Sequence, residues 1–184
     1  MIAEAKAGDA AAYEQLLRAY GRRLYGYFLR AAGSHHDAED LLGELMLRLV
    51  RTLKNYDERG RFEPWLFRVA ANLVRDRIRR SSTRPAALSL AAEDESGQAL
   101  ADRLQADPAP VDADLVTREQ SARLMTAMER LDETTRHMIL LRHFGEMSFR
   151  ELAGLFGCPV GTALAKVHRG LQTLRKWMGE SHEA

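Results

Sequence analysis

Residues 147–162 read M-S-F-R-E-L-A-G-L-F-G-C-P-V-G-T, and no other stretch of the chain carries so many local structural signals. Ser148 with Glu151 three residues on forms a capping box: the hydroxyl accepts from a free helix amide and the carboxylate reaches back to the Ser amide. Met147 and Leu152 stand where a hydrophobic staple would span that cap. Gly157 supplies the left-handed residue that ends a short helix. Cys158 then takes an N-cap position, and Pro159 the first turn of another helix. Val160, Ala163, Val167, Leu171 and Leu174 make that helix's buried face. It also carries Lys166, His168, Arg169, Arg175 and Lys176, with no acid before Glu180. Two helices joined by a tight glycine turn, the second one basic, spell helix-turn-helix.

Working back from this motif, one helix from about Glu133 holds Met138, Ile139, Leu141 and Phe144. Another carries Leu115, Gln120, Leu124, Met128 and Leu131. Upstream, from Ser81 to Asp114, the periodicity fails. S-S-T-R-P, alanine runs, D-P-A-P and an excess of acids over arginines read as a flexible linker, with a short helix around Gln98 to Leu104. Before the linker, three more helical patterns follow one another. The first has Asp9 as N-cap and Tyr13, Leu16, Leu17, Tyr20, Leu24 and Phe28 on one face. The second runs from Asp37 to about Leu53, with Leu41, Leu42, Leu45, Leu49 and Leu53. After a loop from Asn55 to Glu63, Pro64 opens the third, with Leu66, Val69, Ala70, Leu73 and Ile78. No segment alternates as a strand does. The expectation is an all-α chain of two small helical domains, residues 1–82 and 115–184, joined by a flexible acidic linker over 83–114, the second domain a helix-turn-helix.

The 184 residues hold 27 Lys and Arg against 26 Asp and Glu, so net charge says little and its distribution says more. Between Arg61 and Arg84, seven arginines face only Glu63 and Asp76. Arg68, Asn72, Arg75 and Arg79 recur every three or four residues and share a helical stripe. Two basic helices, one per domain, suit two points on a polyanion, and each alone also reads as a solvated face. Phe62, Trp65 and Phe67 read either as core or, beside arginines, as platforms for unstacked bases. Asp37, Glu39, Asp40 and Glu44 crowd the second helix's first turns, where they favour the helix dipole and could also dock a basic protein.

Enzyme chemistry finds no motif. The adjacent His35, His36 and Asp37 cannot converge on one metal, and His137, His143, His168 and His182 lack ligand spacing. No phosphate-binding glycine loop is present, and Cys158 reads as a cap rather than a nucleophile. The expectation is therefore no catalysis, metal, cofactor or small-molecule substrate. A single cysteine fits a reducing compartment. With no signal-peptide pattern and no apolar run of membrane-spanning length, a cytoplasmic protein without direct membrane insertion is expected.

The run D-A-E-D-L-L-G-E-L-M-L-R-L-V (37–50), followed by W-L-F-R-V-A-A-N-L-V-R-D-R-I-R-R (65–80), resembles region 2 of bacterial extracytoplasmic-function sigma factors. The run from Leu131 to Thr162, ending in K-V-H-R-G (166–170), resembles their region 4, and G-D-A-A-A-Y-E-Q-L (8–16) adds to the match. The resemblance implies an RNA polymerase sigma subunit that binds core polymerase and directs promoter-specific initiation. By it, Asp37, Glu39, Asp40, Leu41, Glu44 and Leu45 would dock on core polymerase. Arg61, Phe62, Trp65, Arg68, Asn72, Arg75, Arg79 and Arg80 would take the −10 element, Asn72 helping to form a base pocket. Arg142, Ser148, Thr162, Leu164, Ala165, Lys166, His168 and Arg169 would meet the −35 element. The implied partners are core RNA polymerase, promoter DNA and an anti-sigma factor, which could hold the protein at the inner membrane. The chain departs from the family at Gly43, where a polar residue is usual, and at Leu164 and Ala165, where a basic residue and Ser are usual.

Two other readings fit parts of the chain. A helix-turn-helix regulator acting without polymerase explains the second domain and gives the first no role. A sigma-like protein that only titrates an anti-sigma factor would need no promoter readout.

Overall fold

The computed structural model describes residues 1–57, 61–83 and 111–180. These fall into two compact units, one within Met1–Ala106 and the other within Asp107–Ala184. Most of the expected linker, and the short helix expected around Gln98 to Leu104, lie outside the described residues. Among the described residues every regular element is helical and none is a strand.

The first unit contains α1 (Ile2–Lys6), α2 (Ala10–Ala32), α3 (His35–Thr52), a 3-10 turn (Leu53–Asn55) and α4 (Phe62–Thr83). Asp9 caps α2 as expected, its carboxylate accepting from the Ala11 amide at 2.9 Å. Gly33, at φ 83°, ends α2, and Ser34 starts α3 by accepting from the Asp37 amide at 3.0 Å. α3 thus begins at His35, two residues before the expected Asp37, because Gly33 and Ser34 together end one helix and start the next. α4 opens at Phe62, so Pro64 stands in its first turn, where its missing amide costs no helical hydrogen bond. α2, α3 and α4 pack on one another around Leu24, Tyr27, Phe28, Leu41, Leu45, Leu66, Phe67 and Leu73, each at most 1% exposed. Tyr27 was absent from the expected core. Burial pushes its phenol well up from its ordinary range, with Arg75 opposing.

The second unit contains α5 (Val111–Glu129), α6 (Glu133–Phe144), α7 (Phe149–Phe156) and α8 (Val160–Glu180). α5 begins four residues before the expected Leu115. Asp132 caps α6, accepting from the Thr135 amide at 3.0 Å. The capping box forms as read: Glu151 accepts from the Ser148 amide at 2.8 Å and Ser148 from the Glu151 amide at 3.3 Å. Met147 and Leu152 are both buried across it, and Gly157 ends α7 at φ 63°. The next cap shifts by one residue. The Pro159 carbonyl accepts from Thr162 and Ala163, so Pro159 rather than Cys158 precedes α8.

The buried face of α8 also differs from the expected one. Ala163, Val167, Gly170 and Leu174 are buried, whereas Val160 and Leu171 stand 47% and 38% exposed. Gly170 explains part of this, since a side chain there would collide with α6. A Cβ would lie 2.5 Å from Thr135 Cγ2 and 2.8 Å from Ile139 Cδ1.

Candidate nucleic-acid and protein interface

On α4, Arg68, Asn72, Arg75 and Arg79 are all exposed and lie within one narrow arc of the helix. Leu66, Ala70, Leu73 and Val74 face the core, which leaves this stripe outward. Arg61, also exposed, stands just before the helix. Four guanidiniums and an amide along one surface can engage successive phosphates and a base edge.

The aromatic residues divide differently from the sequence reading. Phe62 is 5% exposed and packs against Tyr20, Tyr56 and Trp65, with ring centroids 5.5–5.6 Å apart. Phe67 is fully buried against Tyr27. Phe62 is thus a core residue as folded, a correction to its expected place on the DNA surface. Trp65 packs at a tilt of 43° against Tyr56, ring centroids 4.7 Å apart, and stays partly exposed, so it alone of the three offers a face.

α3 needs a parallel correction. Leu41 and Leu45 are wholly buried and hold α3 to the core, so neither presents a docking surface. The exposed apolar side chains of this helix are Leu47 and Val50, at 69% and 47%. Leu47 follows Asp40 and Glu44 along one face, three and four residues apart. Glu39 turns aside toward Tyr25, whose phenol is pushed up first by burial and then by this carboxylate.

The acids of α3 are also engaged by α4. Arg77 pairs with Asp37 and lies 3.5 Å from Asp40, and Arg80 lies 3.8 Å from Glu44. Arg48 bridges Glu44 and Asp76 at 3.8 Å each. Arg77, counted only as part of the basic run in sequence, is half a turn of helix away from the arginine stripe. That angular offset was the available signal for an interhelical role.

In the second unit, Arg142, Thr162, Leu164, His168 and Arg169 are exposed, and Ala165 and Lys166 half-buried. Ser148 is occupied by its capping box. Arg142 donates to the Met147 carbonyl at 3.1 Å and lies over the Phe149 ring at 5.4 Å; Phe149 in turn stacks on His168 at 6.3 Å. Lys166 reaches Asp132 at 3.4 Å, and Arg169 Nε donates to the Ala165 carbonyl at 3.3 Å. Arg150, at the start of α7, is also exposed and lies outside the basic run of α8. Among the described residues no group of three or more His, Cys, Asp and Glu is placed to hold a metal. No helix among them is long and apolar enough to cross a membrane.

Residues 16–84 match the family Sigma-70 region 2, and residues 121–174 match Sigma-70, region 4. The RNA polymerase sigma factor CarQ of Myxococcus xanthus is 32% identical over 173 residues, covering 94% of this chain and 92% of that one. The ECF RNA polymerase sigma factor SigW of Bacillus subtilis is 29% identical, covering 95% and 93%. The chain belongs to the extracytoplasmic-function sigma factors. It is therefore a sigma factor that directs transcription, in a family of non-catalytic initiation factors. The fold agrees with that of RpoE from Bartonella quintana, solved with the anti-sigma factor NepR. There the TM-score is 0.63 at 16% identity, covering 91% of this sigma factor and 97% of that chain. CnrH, solved with the cytosolic domain of CnrY, gives 0.63 at 21% identity, covering 97% and 95%.

Proposed function

We propose that this sigma factor binds core RNA polymerase through the α3 face of Asp37, Asp40, Glu44 and Leu47. The first unit takes the promoter −10 element on α4, with Arg68, Arg75 and Arg79 on phosphates and Asn72 and Trp65 at an unstacked base. The second unit sets α8 in the −35 major groove, and residues 83–114 join the two as a linker. The observation that carries this reading is the outward stripe Arg68, Asn72, Arg75 and Arg79, set beside Trp65 on one helix. Such an array suits a single strand, where charge meets the backbone and a flat ring meets a base. A regulator binding duplex DNA without polymerase leaves both the stripe and the α3 face without a use.

The proposed setting is the cytoplasm, and the proposed regulator an anti-sigma protein such as the one bound to the Bartonella RpoE. The test is transcription from fragmented source-genome DNA by core polymerase with and without this chain, mapping RNA 5′ ends. New starts sharing upstream motifs are expected. Intact polymerase binding with no new starts would favour a titrating role, and no binding at all would overturn the proposal.

A further inference from the structure

The tip of α8 carries no charge from Val160 to Ala165, and Val160 and Leu164 stand 47% and 40% exposed there. The first cation on the helix, Lys166, is half-buried and lies 3.4 Å from Asp132. N-terminal residues of a recognition helix are the ones that reach base edges. Here those residues cannot donate the paired hydrogen bonds by which Arg selects guanine or Asn and Gln select adenine. One base remains that an apolar side chain can select in the major groove: thymine, through its C5 methyl group.

We propose that Leu164 is a specificity residue that selects thymine in the −35 element by packing against that methyl, with Ala165 beside it. The proposal rests on the reading of α8 as the −35 recognition helix. Charge argues for DNA rather than a protein as the occupant of this apolar tip. α8 carries no acid from Val160 to Gly179. Exposed Arg142, Arg150, Arg169 and Arg175 stand on α6, α7 and α8 of the same unit, suited to the phosphates either side of a groove. Apolar readout within a basic frame separates two tasks: the arginines supply affinity, and Leu164 supplies discrimination.

The test uses the holoenzyme on a promoter mapped by its RNA 5′ end. Deoxyuridine replaces thymidine at single −35 positions, which deletes one methyl and keeps every hydrogen-bonding group. Promoter affinity is expected to fall about fourfold at one or two adjacent positions, the worth of one buried carbon. In Leu164→Ala, an exposed substitution whose melting temperature serves as the folding control, the thymidine-to-deoxyuridine ratio should approach one at those positions. A −35 element whose scrambling abolishes binding, yet which tolerates every deoxyuridine, would overturn the methyl contact and leave α8 as the reader. A −35 element whose scrambling has no effect would remove the recognition-helix reading and the proposal with it. An unchanged ratio in Leu164→Ala, together with weaker binding to core polymerase, would assign the residue to a protein contact and overturn the proposal.

Discussion

Arg77 on α4 is paired with Asp37 on α3, and the same guanidinium lies 3.5 Å from Asp40. The surface proposed for polymerase and the helix proposed for promoter DNA are therefore joined by charge as well as by packing. Both partners of the first pair are about one-third exposed, 34% for Arg77 and 32% for Asp37, so water weakens the attraction without abolishing it. A double-mutant cycle of Arg77→Ala and Asp37→Ala, followed by urea denaturation, should give a coupling of about 1 kcal/mol. That coupling should shrink as salt is raised. Strict additivity of the two substitutions would show that the pair adds nothing to the union of the helices.

The outward stripe makes a different demand on salt. Arg75→Ala with Arg79→Ala should lower open-complex formation and leave polymerase binding near normal. If each arginine holds one phosphate of a single strand, the salt slope of promoter binding should fall by about 0.7 per residue. Arg77→Ala should leave that slope unchanged, since Arg77 faces α3. Measuring open-complex formation against salt for both variants separates the two kinds of arginine on one helix.

Why these roles were only partly legible in sequence follows from how each residue signals. Caps signal locally: Asp9, Ser148 with Glu151, and Gly157 act on atoms within a few residues, and all three were readable. The outward stripe was readable because helical spacing alone sets which residues share a face. Burial depth was not. Leu41 and Leu45 look alike to Leu47 in composition, and only the packing of α2 and α4 decides that Leu47 is the exposed one. Phe62 likewise depended on Tyr20 and Tyr56, which are distant in sequence or across a loop. Val160 and Leu171 were misassigned because Gly170, with no side chain, lets α6 and α8 approach and so turns the buried face of α8 toward itself.

Two glycines inside helices should respond oppositely to the same substitution. Gly43 is exposed on α3 and a Cβ there meets nothing within 4 Å. Gly43→Ala should stabilise the first unit by about 0.5–1 kcal/mol, through lower unfolded-state entropy and better helix propensity. At Gly170, the clash with Thr135 and Ile139 should outweigh the same propensity gain. Gly170→Ala should destabilise the second unit by about 1–3 kcal/mol. Thermal denaturation of each variant checks both signs, and adding Thr135→Ser, which removes the Cγ2 at 2.5 Å, should recover part of the Gly170→Ala loss.

Asp132 should tie the stability of the second unit to pH in the acid range. Its hydrogen bond with the Thr135 side chain holds its carboxyl below the usual carboxylate range, partial burial opposes this, and the Thr135 amide and Lys166 add to the lowering. A depressed folded-state pKa means that the unfolded chain binds the proton more readily. The contribution is therefore present above the ordinary carboxylate value of about 4 and lost as pH falls through the lower folded value. Amide hydrogen exchange in the first turn of α6 should lose protection across that acid window in the full chain. Asp132→Asn keeps a capping oxygen for the Thr135 amide and should show a much flatter profile there, while Asp132→Ala should lose about 1 kcal/mol already at neutral pH. If Asp132→Asn follows the native profile into acid, the pH dependence arises from another carboxylate and the cap is only a neutral hydrogen bond.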